Sequence, residues 1–121
     1  MNETPRPISI DTARHYTWGD GCDGWHLVAS DSLSVIEERM PAGTAEIRHR
    51  HHTARQFFFV LSGALTLEIA GITVVVTAGT GCEVMPGEAH QVFNRGDAEV
   101  EFLVISQPPA QGDRETVSSG R

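Results

Sequence analysis

No lysine occurs in this chain of 121 residues. All nine cationic side chains are arginine, set against sixteen carboxylates for a formal net charge of −7. Without a side-chain primary amine, Schiff-base catalysis is excluded. The negative balance also argues against sequence-independent binding to nucleic acid or to an anionic membrane surface, both of which need clustered basic residues. Cysteine is scarce: Cys22 and Cys82 lie far apart and form no C-x2-C pair, so reduced thiols are expected rather than a redox or zinc motif. No apolar run approaches the roughly 18 residues of a spanning helix. Nor does a charged segment with an apolar stretch behind it open the chain, and the expectation is a cytoplasmic protein. Internal repeats are absent, as is any sustained 3.6-residue periodicity.

What is present instead is a period of two. Leu65, Leu67 and Ile69 alternate with Thr66 and Glu68; Val100, Phe102 and Val104 alternate with Glu99 and Glu101. Strands are expected over 25–30, 33–40, 45–51, 56–61, 64–70, 72–77, 81–85, 89–94 and 98–106, separated by turns such as Ser62-Gly63, Ala70-Gly71 and Pro86-Gly87. Many short strands at such spacing make an all-β sandwich or barrel, and a chain of this length buries roughly two-thirds of its unfolded surface in one domain. The runs 57–61 and 72–76 are apolar on both parities, as expected of strands covered inside by the core and outside by a second subunit, which predicts a homodimer.

Residues 1–24 read as an arm with Pro5 and Pro7, followed by an ordered loop anchored by Tyr16 and Trp18. Residues 25–106 form the β domain. Residues 107–121 begin with the pair Pro108-Pro109, which cannot continue a strand, and read as a polar tail, either mobile or strapped over the surface.

The chemistry concentrates in His49-Arg50-His51-His52-Thr53-Ala54-Arg55-Gln56. On an extended segment His49 and His51 project from one face, since side chains alternate across a strand. Gln56 opens the returning strand, so a hairpin is expected to offer three ligands, and His90, just after Pro86-Gly87, supplies a fourth. This is metal-ligand spacing.

The pattern Gly43-x5-His49-x-His51-x4-Gln56-x6-Gly63, followed by Gly79-x6-Pro86-Gly87-x2-His90-x3-Asn94, resembles the two motifs of the cupin superfamily. The resemblance implies a double-stranded β-helix, an RmlC-like jelly-roll barrel over 25–106, holding a divalent metal on His49, His51, Gln56 and His90. It also departs from the usual pattern, with Gln56 where most metal-binding cupins have Glu and Met85 where the second motif has proline. Three imidazoles and an amide bring no negative charge to the ion. Zn, Fe, Ni, Mn and Cu all accept such donors.

Other polar residues have plainer readings. His52 has the opposite parity from His51 and is expected outward; His15 and His26 are structural; Arg48, Arg50 and Arg55 are surface or interface charges; Asn94 fixes its loop. Three functions compete. The first is a metal-dependent enzyme acting on a small anionic molecule such as a sugar acid, keto acid or diketone. The second is a dioxygenase, and the third a non-catalytic small-ligand-binding cupin. Interior acid-base residues are not evident on Phe102-Leu103-Val104-Ile105-Ser106.

Overall fold

A computed structural model describes residues 4–118 and contains eleven strands and no helix among them. In chain order these are β1 (Arg14–Trp18), β2 (Cys22–Ala29), β3 (Ser34–Met40), β4 (His49–Arg50), β5 (Arg55–Ser62), β6 (Ala64–Ile69), β7 (Ile72–Thr77), β8 (Gly81–Val84), β9 (His90–Phe93), β10 (Val100–Gln107) and β11 (Glu115–Thr116). Six strands form one sheet in the order β1-β2-β3-β10-β5-β8; the other five form a second, β11-β4-β9-β6-β7. Every pairing is antiparallel.

This is the expected jelly roll, with one difference. Its two sheets face each other, and among the described residues no strand ladder joins them into a closed cylinder.

The period of two decides which side chains fill the space between the sheets. Ile36 and Met40 of β3, Phe58 and Val60 of β5, and Phe102 and Val104 of β10 point inward from one sheet; Leu65 and Leu67 of β6, Val76 of β7 and Val92 of β9 meet them from the other. Burying each such side chain contributes about 1.5–3 kcal/mol. Exposed ion pairs such as Arg55–Glu83 contribute about 0–1 kcal/mol. The core therefore holds the sheets together. Outward positions form a second apolar set: Val35, Ile105 and Phe57 lie side by side across β3, β10 and β5, and Leu103 and Phe59 share the next row.

Two local expectations need correction. The segment from His15 to Trp25 is not a loop: β1 pairs with β2 in register, Tyr16 opposite Gly24. Its short alternation, with Tyr16 and Trp18 inward and His15 and Thr17 outward, is broken up in the sequence by Gly19, Gly21 and Gly24. The stretch 45–51 keeps strand pairing only at His49–Arg50 and a single bridge between Ala45 and Phe93. There the Ile47 carbonyl accepts the His49 side chain instead of completing a ladder. Of the two readings of the tail, it follows the strap: it turns back after Pro109, with the Asp113 amide donating to the Ala110 carbonyl, and its strand β11 pairs with β4.

Candidate metal centre

Strand register brings the two motifs together. His49 of β4 stands directly opposite His90 of β9, and their rings lie 4.4 Å apart, centroid to centroid. His51, two residues along, is 4.9 Å from His49 and 5.8 Å from His90. All three are buried. Each donates from Nδ1 to a backbone carbonyl: His49 to Ile47, His51 to Asp113 and His90 to Glu88. A carbonyl only accepts, so Nδ1 must carry the hydrogen and each Nε2 keeps its lone pair. Carbonyls in that position are the usual means of fixing a metal-binding imidazole. The ligand atoms of the triad lie within 4.8 Å of one another, a spacing that could hold a metal ion.

Gln56 comes from the opposite sheet. The expected hairpin of three ligands does not form, because β4 belongs to the five-stranded sheet and β5 to the six-stranded one. Residues 51–54 cross between the sheets, and the site spans the gap. Gln56 donates from Nε2 to Ser106 Oγ at 3.0 Å, which leaves its Oε1 buried without a partner. His90 Nε2 is likewise buried and unpartnered. A buried polar atom left unsatisfied costs about 1–3 kcal/mol, so two such atoms near one histidine cluster are what a missing ligand would explain. The residues fit a divalent metal.

Burial lowers the proton affinity of all three imidazoles, His49 to a pKa of about 3, against the opposing pull of the carbonyls they bond. They are neutral, the ligating form, at physiological pH.

Beside the triad lies a cavity of about 210 Å³. Its lining includes two acids that sequence reasoning missed, Glu38 of β3 and Glu46 ahead of β4. Desolvation raises Glu38 to about 7, with the Tyr16 hydrogen bond opposing, and raises Glu46 to about 8, with the charge of Glu38 adding to the effect. Tyr16 Oη donates to Glu38 Oε2 at 3.0 Å. Glu38 had a signal: it shares the inward parity of Ile36 and Met40, an acid in an apolar row. Glu46 had none, since its segment has no regular period.

A cupin-domain family profile matches residues 36–106, over half the chain. The chain belongs to the cupin family. This cupin is 28% identical over 85 residues to an oxalate-binding protein of Thermotoga maritima, spanning 66% of this chain and 70% of the relative. Among solved structures it resembles a protein described as a predicted oxalate decarboxylase of Thermotoga maritima, with a TM-score of 0.79 at 18% identity over 86% of this chain and all of the other. It also resembles a cupin-superfamily sugar phosphate isomerase of Silicibacter pomeroyi, with a TM-score of 0.74 at 24% identity over 86% of this chain and 76% of the other. At these identities the structural likenesses establish the fold.

The remaining polar residues of this cupin stand largely where parity put them. His52 is exposed and meets Glu115 at 3.0 Å. His15 bonds Asp23 at 2.7 Å, and the half-buried His26 packs its ring against Tyr16. Arg48 forms two hydrogen bonds with Glu68, Arg50 faces Glu115 and Arg55 faces Glu83. Asn94 is buried and ties its loop together, donating to the Met40 and Ala98 carbonyls and accepting from the Gly96 amide.

Proposed function

We propose that this cupin is a metal-dependent enzyme acting on a small, oxygen-rich anion such as a keto acid, sugar acid or dicarboxylate, with His49, His51, Gln56 and His90 as the ligands of one divalent ion. One observation carries the reading: His90 Nε2, a member of the His49–His51–His90 cluster, and Gln56 Oε1, whose residue lines one cavity with His49 and His51, are both buried and unpartnered. All four donors are neutral, so a bound divalent ion would keep about two positive charges. It would supply Lewis-acid polarisation of a ligand oxygen. Beside the cavity, burial raises the proton affinity of Glu38 and Glu46 in the metal-free protein, which suits carboxyls that give a proton to an oxyanion or take it back. Tyr16 holds the Glu38 carboxyl in place. The similarity to an oxalate-binding protein supports a small carboxylate. It also favours a second reading, a cupin that binds such an anion without turnover, and a turnover screen separates the two.

Gln56 sets the charge of the site, and replacing it tests the preference for an anion. With Glu there, the site would lose one unit of net charge, worth roughly 4 kcal/mol at about 4 Å and an effective dielectric of about 20, before screening. Wild type and Gln56→Glu, loaded with cobalt, are titrated with oxalate and with its neutral diamide, oxamide, and followed by cobalt absorption. Wild type should prefer oxalate, and the variant should keep its metal while binding oxalate at least tenfold more weakly. Absence of a carboxylate preference in wild type would overturn the reading.

A further inference from the structure

The strap that walls the cavity carries an arginine that pairs with no carboxylate among the described residues. Arg39, Arg48, Arg50 and Arg55 each face a carboxylate. Arg114 makes no ion pair among the described residues, and its one hydrogen bond is a long contact of 3.5 Å to the Ile47 carbonyl. Yet the backbone around it is fastened on both sides. Immediately before it, the Asp113 carboxylate accepts from the amides of His52, Thr53 and Ala54 at 2.8–2.9 Å and from Thr53 Oγ1 at 2.8 Å. The Asp113 carbonyl takes the Nδ1 hydrogen of His51. Immediately after it, Glu115 and Thr116 pair with β4, and the Val117 amide donates to the Arg48 carbonyl.

So firm an anchorage for an exposed side chain with no carboxylate partner needs a reason, and the cavity supplies one. Ala110, Gln111 and Gly112 wall it and Arg114 lines it, together with Glu38, Glu46, His49 and His51.

We infer that Arg114, aimed at the cavity by the Asp113 latch, is the residue that selects the carboxylate of the ligand. This rests on the anionic-ligand reading given above and names its specificity determinant. The planar guanidinium fork matches a carboxylate with two parallel hydrogen bonds. An oxyanion entering between the metal-binding donors and the strap would meet Arg114 as the cationic side chain of the cavity lining. Recognition and metal positioning also share one anchor, since the residue that places Arg114 also orients His51.

The test compares wild type, Arg114→Gln and Arg114→Lys, each loaded with cobalt and checked for full metal content, by calorimetric titration with oxalate and with oxamide. A hydrogen-bonded charge pair at a partly exposed site corresponds to roughly 10- to 100-fold in affinity. Arg114→Gln should lose that much for oxalate and little for oxamide. Arg114→Lys, which keeps the charge but not the fork, should fall between. A merely structural Arg114 would leave the oxalate-to-oxamide ratio unmoved. If wild type prefers oxalate and Arg114→Gln prefers it equally, the assignment of Arg114 fails while the anionic-ligand reading stands. If wild type shows no preference, both fail.

Discussion

The Tyr16 ring lies across the backbone of Gly24: a Cβ on that glycine would stand 2.2 Å from Tyr16 Cζ. Tyr16, Gly24 and Glu38 are successive partners across β1, β2 and β3, so the missing side chain lets the phenol cross one strand and reach the acid on the next. Gly24→Ala should displace the ring and destabilise the fold by about 1–3 kcal/mol, the cost of overpacking. Thermal or denaturant unfolding checks this. A variant as stable as wild type would show that the ring has room to move.

Glu38 itself predicts a pH dependence. Its folded pKa, about 7, is raised above the ordinary 4.5 chiefly by desolvation, so the folded state holds the proton more tightly than the unfolded one. The penalty is absent well below pH 4.5, grows as pH rises from 4.5 towards 7, and is complete above that. In metal-free protein Glu38→Gln, which still accepts from Tyr16, should therefore stabilise by on the order of 3 kcal/mol at pH 8 and by nothing at pH 4. Urea unfolding of both proteins at the two pH values measures it; an equal effect at both would mean that the carboxyl is solvated.

For the metal, His51→Ala or His90→Ala should lower metal content sharply, and full occupancy in the His49→Ala, His51→Ala double variant would refute the ligand assignment. Protons compete with a metal only below the folded pKa of each imidazole. Since burial lowers all three from 6.5, metal retention should persist through pH 6 and fail at more acid values. Elemental analysis after dialysis across that range gives the profile. Loss centred at 6.5 would mean that the imidazoles are better hydrated than their burial implies.

The row of Val35, Ile105 and Phe57, with Leu103 and Phe59 beside it, predicts that two copies pack through the outer face of the six-stranded sheet. Sedimentation at micromolar concentration should give a dimer, and Phe57→Glu should give a monomer that keeps its metal. A wild-type monomer would overturn the expectation.

The strands and the histidine triad were legible because both rest on local rules. Alternation fixes which side of a strand faces the core, and Pro86-Gly87 marks the bend before His90. Less legible was anything decided by a long-range partner. Tyr16 looked like part of a glycine-rich loop because its strand gains a face only when paired with β2. Gln56 was assigned to a hairpin with His49 because a four-residue connection suits one; nothing local says that those residues cross to the other sheet. Asp113 and Arg114 sit beyond a proline pair that rightly ends a strand but does not forbid a later one.

The strap is also the last part of the site to be synthesised. Translation delivers His49, His51, Gln56 and His90 before Asp113 and Arg114, so a nascent chain can present its donors while the wall made by Ala110, Gln111 and Gly112 is still to come. A divalent ion held by these donors would lie beside a wall fastened to the loop between His51 and Gln56.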